Sequence, residues 1–196
     1  VTGRFRKISL PFLPATIKEF SSIDYPKKHI KFQPFHPNTI ALEDFSWHET
    51  YKKLMFTRDD WSKIINLAIE NFNGIWLDLF DSYGVDVLSD NLASIHGIKL
   101  QASVLENHEV IDELIKLSLI NQSLMINVSG FELHNIDIFI QSFSQISANK
   151  IILQIGHQAY PTSLKDTGLQ KINKLRLEYP ELELCIADHA DAEDAE

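Results

Sequence analysis

The heptapeptide GIKLQAS, residues 97–103, reads as a β-strand whose polar side chains recur every second position. Lys99, Gln101 and Ser103 fall on one face, and Ile98 and Leu100 on the other. Polar groups are costly inside an apolar sheet unless they reach partners or water. The arrangement recurs along the chain. Lys31 and Gln33 share a face in IKFQ, Asn127 and Ser129 share one in INVS, and Asp78 lies toward the end of IWLDLF. Gln154 in ILQIG, and Asp188 with His189 in IADH, complete the series. Strands that all carry polar residues at their C-terminal ends point to one common mouth, as in a (β/α)8 barrel whose site lies there. An open doubly wound sheet also binds ligands beyond its strand ends and stays as the alternative; the shared polar ends favour the barrel.

Strands are expected over residues 29–35, 74–80, 97–103, 124–129, 150–156 and 182–189, alternating with segments of helical period, the pattern of βα units and a parallel sheet. Thr57 caps RDDWSKIINLAIENF, with Asp59 and Asp60 in the first turn where the helix dipole favours acids. Trp61, Ile64, Ile65, Ala68, Ile69 and Phe72 fall on one face of that helix. Residues 109–119, 133–144 and 164–179 are helical by the same logic, the last stopping at Pro180. The proline-containing stretch 10–16 is the expected irregular piece. A whole barrel takes about 250 residues, so 196 residues imply an α/β chain forming a partial or abbreviated TIM-type barrel, read as one domain over residues 1–196.

Composition narrows the function classes. At 44% hydrophobic and 23% charged, the chain has enough apolar residues for a substantial core and is not a disordered or collagen-like sequence. Its apolar runs fall far short of the roughly 18–20 residues that span a bilayer, and VTGRFRKISL has no apolar signal core. The expectation is a soluble, unprocessed chain with no membrane partner. One cysteine, Cys185, cannot form an internal disulfide, which suits the reducing cytoplasm. A net charge of −9 repels nucleic acid and anionic membranes, so any anion site must be local.

Three segments then resemble the sialic acid synthase family: HIKFQPF (29–35), GIKLQAS (97–103) and QAYPTSLKDTGLQKINKLRLEYPELELCIADHADA (158–192). Order and spacing agree as well. A KFQ strand, the strand end Phe80-Asp81, a lysine strand, a YP motif followed by an acidic residue opening a helix, and a final DH strand run over about residues 28–192. The resemblance implies a (β/α)8 barrel that condenses phosphoenolpyruvate with an N-acetylmannosamine-type sugar, an acylated amino sugar, for surface polysaccharide synthesis. By that alignment the family's first strand would precede Val1 and its last would follow Ala192. It also allows a homodimer, since family members use a C-terminal domain to close the partner's site.

What the resemblance implies for the site is specific. Lys31 and Lys99 fall on the family's lysine positions and would hold the phosphate and carboxylate. Gln33 falls on the glutamine that contacts the sugar, with Gln101 beside it. His189 matches one of two histidines that bind a divalent metal, manganese or magnesium, acting as a Lewis acid on the sugar's open-chain carbonyl. Ile155 stands where the first metal histidine sits, and His157, two residues on, is the candidate replacement. Val104 replaces a glutamate, and Asp78 replaces a threonine that contacts substrate.

Plainer readings stand beside these. Strand-end lysines are often solvated or ion-paired. Gln33, Gln101 and Gln154 could satisfy one another in a polar barrel layer. Asp188 could orient a neighbour, and His189 could be a hydrogen-bonded structural histidine. Trp47, Trp61 and Trp76 read as packing residues, Cys185 as an inert strand residue, and His29, His36, His48, His96, His108 and His134 lack ligand spacing with one another. Two further functions stay open: a metal-free aldolase using one lysine as a Schiff-base nucleophile, and a degenerate barrel that binds a sugar or a partner without turnover.

Overall fold

A strand that repeats every two residues offers one apolar face to whatever covers it, and the alternation along this chain calls for helices on one side only. The computed structural model describes residues 12–156, 159 and 161–189. In chain order they form α1 (Phe12–Ser21), β1 (His29–Phe32), α2 (Pro37–Ile40), α3 (His48–Leu54), α4 (Arg58–Ile69), β2 (Gly74–Leu79), α5 (Ser82–Asn91), β3 (Gly97–Leu100), α6 (His108–Lys116), β4 (Ser123–Asn127), α7 (Leu133–Phe143), β5 (Lys150–Ile155), α8 (Gln170–Glu178) and β6 (Glu183–Ile186). The strands pair in the order β1-β2-β3-β4-β5-β6, all parallel, in a sheet curled into half a barrel with helices in the crossovers.

The core lies between the outer sheet face and the helices. Leu77, Leu79, Ile98, Leu100, Leu124 and Ile126 are fully buried there, each worth about 1.5–3 kcal/mol of burial. Helix α4 adds Trp61, Ile64, Ile65 and Ala68. Its start is the one the sequence announces: Thr57 accepts from the Asp60 amide while the Asp60 carboxylate accepts from the Thr57 amide. Ile69, at the last helical position, is instead 47% exposed.

Other expectations need correcting. The stretch 10–16 is not an irregular piece where described: from Phe12 it is the start of α1, with Pro14 in the first turn, where a missing N–H costs nothing. Helix α5 escapes the sequence because Gly84 and its serines are weak helix formers; it forms because Asp81 caps it and Val85, Val87 and Leu88 are buried. The helix expected over 164–179 begins only at Gln170, after a short 3-10 turn (Leu164–Asp166) and Gly168 at φ +74°. Strand β3 stops at Leu100 and passes into a 3-10 turn (Ala102–Val104).

The inner sheet face is different in kind. Trp76 lies on it with its ring over Gly97, where a Cβ would come within 2.5 Å of Trp76 Cζ3, so only glycine fits. Trp47 is 44% exposed and is not a core residue. Among the described residues no helix is long and apolar enough to cross a membrane.

Fully buried Leu77 and exposed Leu177 separate packing from composition. Leu77→Ala is expected to cost about 3 kcal/mol in chemical denaturation, whereas Leu177→Ala should stay within about 0.5 kcal/mol; equal losses would contradict this placement of the core.

Candidate active site

Register brings the site together. Strands β2 and β3 pair Asp78 directly with Lys99, and β1 pairs Lys31 with Trp76, two residues before Asp78 on the same face. The C-terminal strand ends therefore place both lysines on one carboxylate. Lys31 Nζ donates to Asp78 Oδ2 at 2.8 Å, and Lys99 Nζ lies 3.4 Å from the same oxygen. Gln33 Nε2 (3.3 Å) and Gln101 Nε2 (3.1 Å) donate to it too. Asp78 is fully buried, the Lys99 side chain is 4% exposed and that of Lys31 38%. Asp78 Oδ1 is buried and has no hydrogen-bond partner among the described residues.

Burial governs the charge of Lys99. Loss of water pushes its ammonium down to about 8; the Asp78 carboxylate pulls back upward and the Lys31 cation pushes further down. Lys31 is the more exposed member of the pair.

The next strands continue the polar layer. Asn127 Oδ1 accepts from the Ser129 amide at 3.0 Å, and the Ser129 hydroxyl lies between that oxygen (2.7 Å) and the Gly156 carbonyl (2.8 Å). Gln154 accepts from Asn127 at 3.5 Å and approaches Cys185 Sγ at 3.8 Å. So Gln33, Gln101 and Gln154 do not satisfy one another: two serve Asp78 and the third belongs to the Asn127 group. Cys185 is half-buried.

Two tethers that sequence reasoning missed fix the surrounding loops. Asp81 Oδ1 accepts from the Gly84 amide at 2.9 Å, while Oδ2 accepts from the His36 amide at 2.7 Å and from the Thr39 hydroxyl, tying the loop after β1 to the start of α5. Lys171 Nζ, on α8, donates to the Val128 carbonyl at 2.7 Å and to that of Phe131, anchoring the turn after β4. Burial lowers the pKa of Lys171. Capping chemistry around Phe80-Asp81 could have revealed the first; the second joins residues far apart in sequence and leaves no local signal. His29 and His96, unrelated by spacing, meet with ring centroids 4.8 Å apart, and the Trp76 indole donates to His29 Nδ1 at 2.9 Å.

The implied metal ligands do not gather in the same way. The main-chain carbonyl of His189 accepts from the Thr162 amide at 2.8 Å, and His157 lies outside the described residues. Ile155 is 2% exposed and faces the helices, on the strand face opposite Gln154. Val104, at the glutamate position, is buried in the core. Among the described residues no three His, Cys, Asp or Glu side chains come together. The described donors alone do not fit a manganese or magnesium site, and the chemistry below is derived from the other residues.

The sequence pattern of the NeuB family matches residues 22–195. No curated protein matches the chain significantly. Among solved structures, it is similar to N-acetylneuraminic acid (sialic acid) synthetase from Leptospira borgpetersenii serovar Hardjo-bovis, at TM-score 0.78 and 16% identity over 92% of this chain and 60% of that one. Spore coat polysaccharide biosynthesis protein spsE from Bacillus subtilis gives 0.72 and 16%, over 93% and 49%. The phospho-2-dehydro-3-deoxyheptonate aldolase (DAHP synthase) of Thermotoga maritima gives 0.54 and 12%, over 92% and 56%. At these identities the likeness is one of fold, a TIM-barrel type of which this chain spans about half to three fifths.

The buried cation generates a pH prediction. Lys99 sits at about 8 when folded, below its unfolded value of about 10.4, so between those values the unfolded chain binds more protons and stability rises with pH. Relative to Lys99→Met, the wild-type chain should gain thermal stability from about pH 8 to about pH 10; a pH-independent difference would contradict the assigned environment.

Proposed function

We propose that this chain, which belongs to the NeuB family, is part of a sialic acid synthase-like transferase that condenses phosphoenolpyruvate with an N-acetylmannosamine-type sugar to give a nonulosonic acid. One observation carries the reading: lysines from two strands lie within 3.4 Å of a single carboxylate oxygen at the strand ends. That oxygen is ringed by ammonium and amide groups, a setting that suits an oxyanion. The phosphate and carboxylate of phosphoenolpyruvate present oxygens of the same kind. The synthetase from Leptospira was obtained with citrate, also a carboxylate anion, which agrees with such a mouth.

In this reading Lys99 is the fixed cation and Lys31 the one that swings from Asp78 to an incoming anion. Gln33, exposed at the rim, can donate to and accept from sugar hydroxyls. Carbon 3 of phosphoenolpyruvate bonds to the sugar's carbonyl carbon, water adds at carbon 2, and phosphate leaves. The lysines hold the anionic groups and offset the charge that grows on the departing phosphate.

Asp78 sets the affinity here, because a ligand anion must compete with it for both lysines. A second reading, sugar binding without turnover, is favoured by Val104, whose buried side chain brings no acid or base to the mouth. Phosphate release with both substrates present separates the two readings.

Calorimetric titration of phosphoenolpyruvate tests the anion site. Lys31→Ala should weaken binding about tenfold and Asp78→Asn should tighten it about tenfold, the scale of one charge-assisted contact. Gln33→Ala should leave it within about twofold. No binding to any of these proteins, or weaker binding to Asp78→Asn, would contradict the assignment.

A further inference from the structure

Three features of the mouth exceed what anion binding needs. Lys99 is almost wholly withdrawn from water, although a purely electrostatic contact would serve as well at the exposure of Lys31. Asp78 accepts at one oxygen from Lys31, Gln33 and Gln101, with the Lys99 ammonium 3.4 Å away, and its other oxygen, Oδ1, is buried and without a partner among the described residues. A buried carboxylate oxygen left bare is costly. Finally, Lys31 stands beside the pair, able to hold a second anionic group.

From this geometry we propose that Lys99 is a Schiff-base nucleophile toward the carbonyl of a short 2-oxo acid, with Asp78 as the group that takes and returns its proton and Lys31 as the cation that holds the acid's carboxylate. The step balances. The Lys99 ammonium gives one proton to Asp78, and the neutral amine bonds through its lone pair to the carbonyl carbon. The C=O π pair moves to oxygen, and the nitrogen's excess proton follows it to give a carbinolamine. Asp78 then returns its proton to that hydroxyl, the C–O bond breaks, water leaves and the nitrogen lone pair closes the C=N bond. The sum is ammonium plus ketone giving iminium plus water, with Asp78 unchanged. Burial favours the step by lowering Lys99 to about 8, so that more of it is free amine near neutral pH than for a solvated lysine.

This activity does not depend on the transferase reading. Phosphoenolpyruvate has no free carbonyl and gives no imine, so the two succeed or fail separately.

Trapping tests it. The full chain is incubated with pyruvate, reduced with sodium borohydride and mapped by peptide mass spectrometry. The expected result is one carboxyethyl adduct on Lys99, with a yield that rises with pH toward about 8 and beyond. Lys31→Ala should lower the yield and keep the location, and Lys99→Met should abolish it. Because mapping locates the adduct in the wild-type chain, the test stands even if Lys99→Met does not fold. No adduct, or adducts on exposed lysines such as Lys52 and Lys63 with Lys99 unmodified, would overturn the proposal whatever phosphoenolpyruvate does in the calorimeter. A trapped Lys99 without phosphoenolpyruvate binding would overturn the transferase reading alone.

Discussion

One carboxylate oxygen, Asp78 Oδ2, joins β1, β2 and β3 at their C-terminal ends and gathers the charged groups of the mouth around it. Withdrawing Lys99 from water is expensive, and only a nearby opposite charge makes it tolerable. Removing one partner of a buried pair typically costs about 3–5 kcal/mol, because the other is left uncompensated. Lys31 contributes less to stability, since water screens an exposed pair. Fold and site are thus coupled through Asp78 and Lys99, while Lys31 meets the same carboxylate from the solvent side.

Around this centre the chain sets two kinds of support. The outer sheet face is a dry contact with helices, closed by side chains such as Leu77 and Leu100. The loops at the mouth are held by polar tethers, Asp81 to the His36 region and Lys171 to the turn after β4. A mouth so restrained loses little ordering entropy when an anion arrives. The same rigidity would hold a reactive amine beside its proton acceptor.

Much of this was legible in the sequence, for local reasons. The period of two in IKFQ and IKLQAS fixes which face carries Lys31, Gln33, Lys99 and Gln101, and the capping pattern at Thr57 fixes the start of α4. The role of Asp78 was not legible, because its bond to Lys31 spans 47 positions and depends on which strand lies between the lysines. Helix α1 was hidden by Pro14, which its first turn tolerates, and α5 by residues of low propensity that burial overrides. For Ile155 the strand alternation decides: the residue faces the helices, so even a histidine there would point away from the mouth. Trp76 was expected in core or helix packing; strand alternation puts it on the inner face with Asp78, where Gly97 leaves room for its ring.

The charge state of Lys99 tests the central claim most directly. With lysine side chains isotopically labelled, NMR can follow its Nζ and Cε through pH with and without phosphoenolpyruvate. The account predicts a midpoint near 8 in the free protein, rising when a dianion joins Asp78 beside the ammonium. A midpoint at the ordinary lysine value, unmoved by the ligand, would mean that Lys99 is solvated and that no anion is held at this mouth.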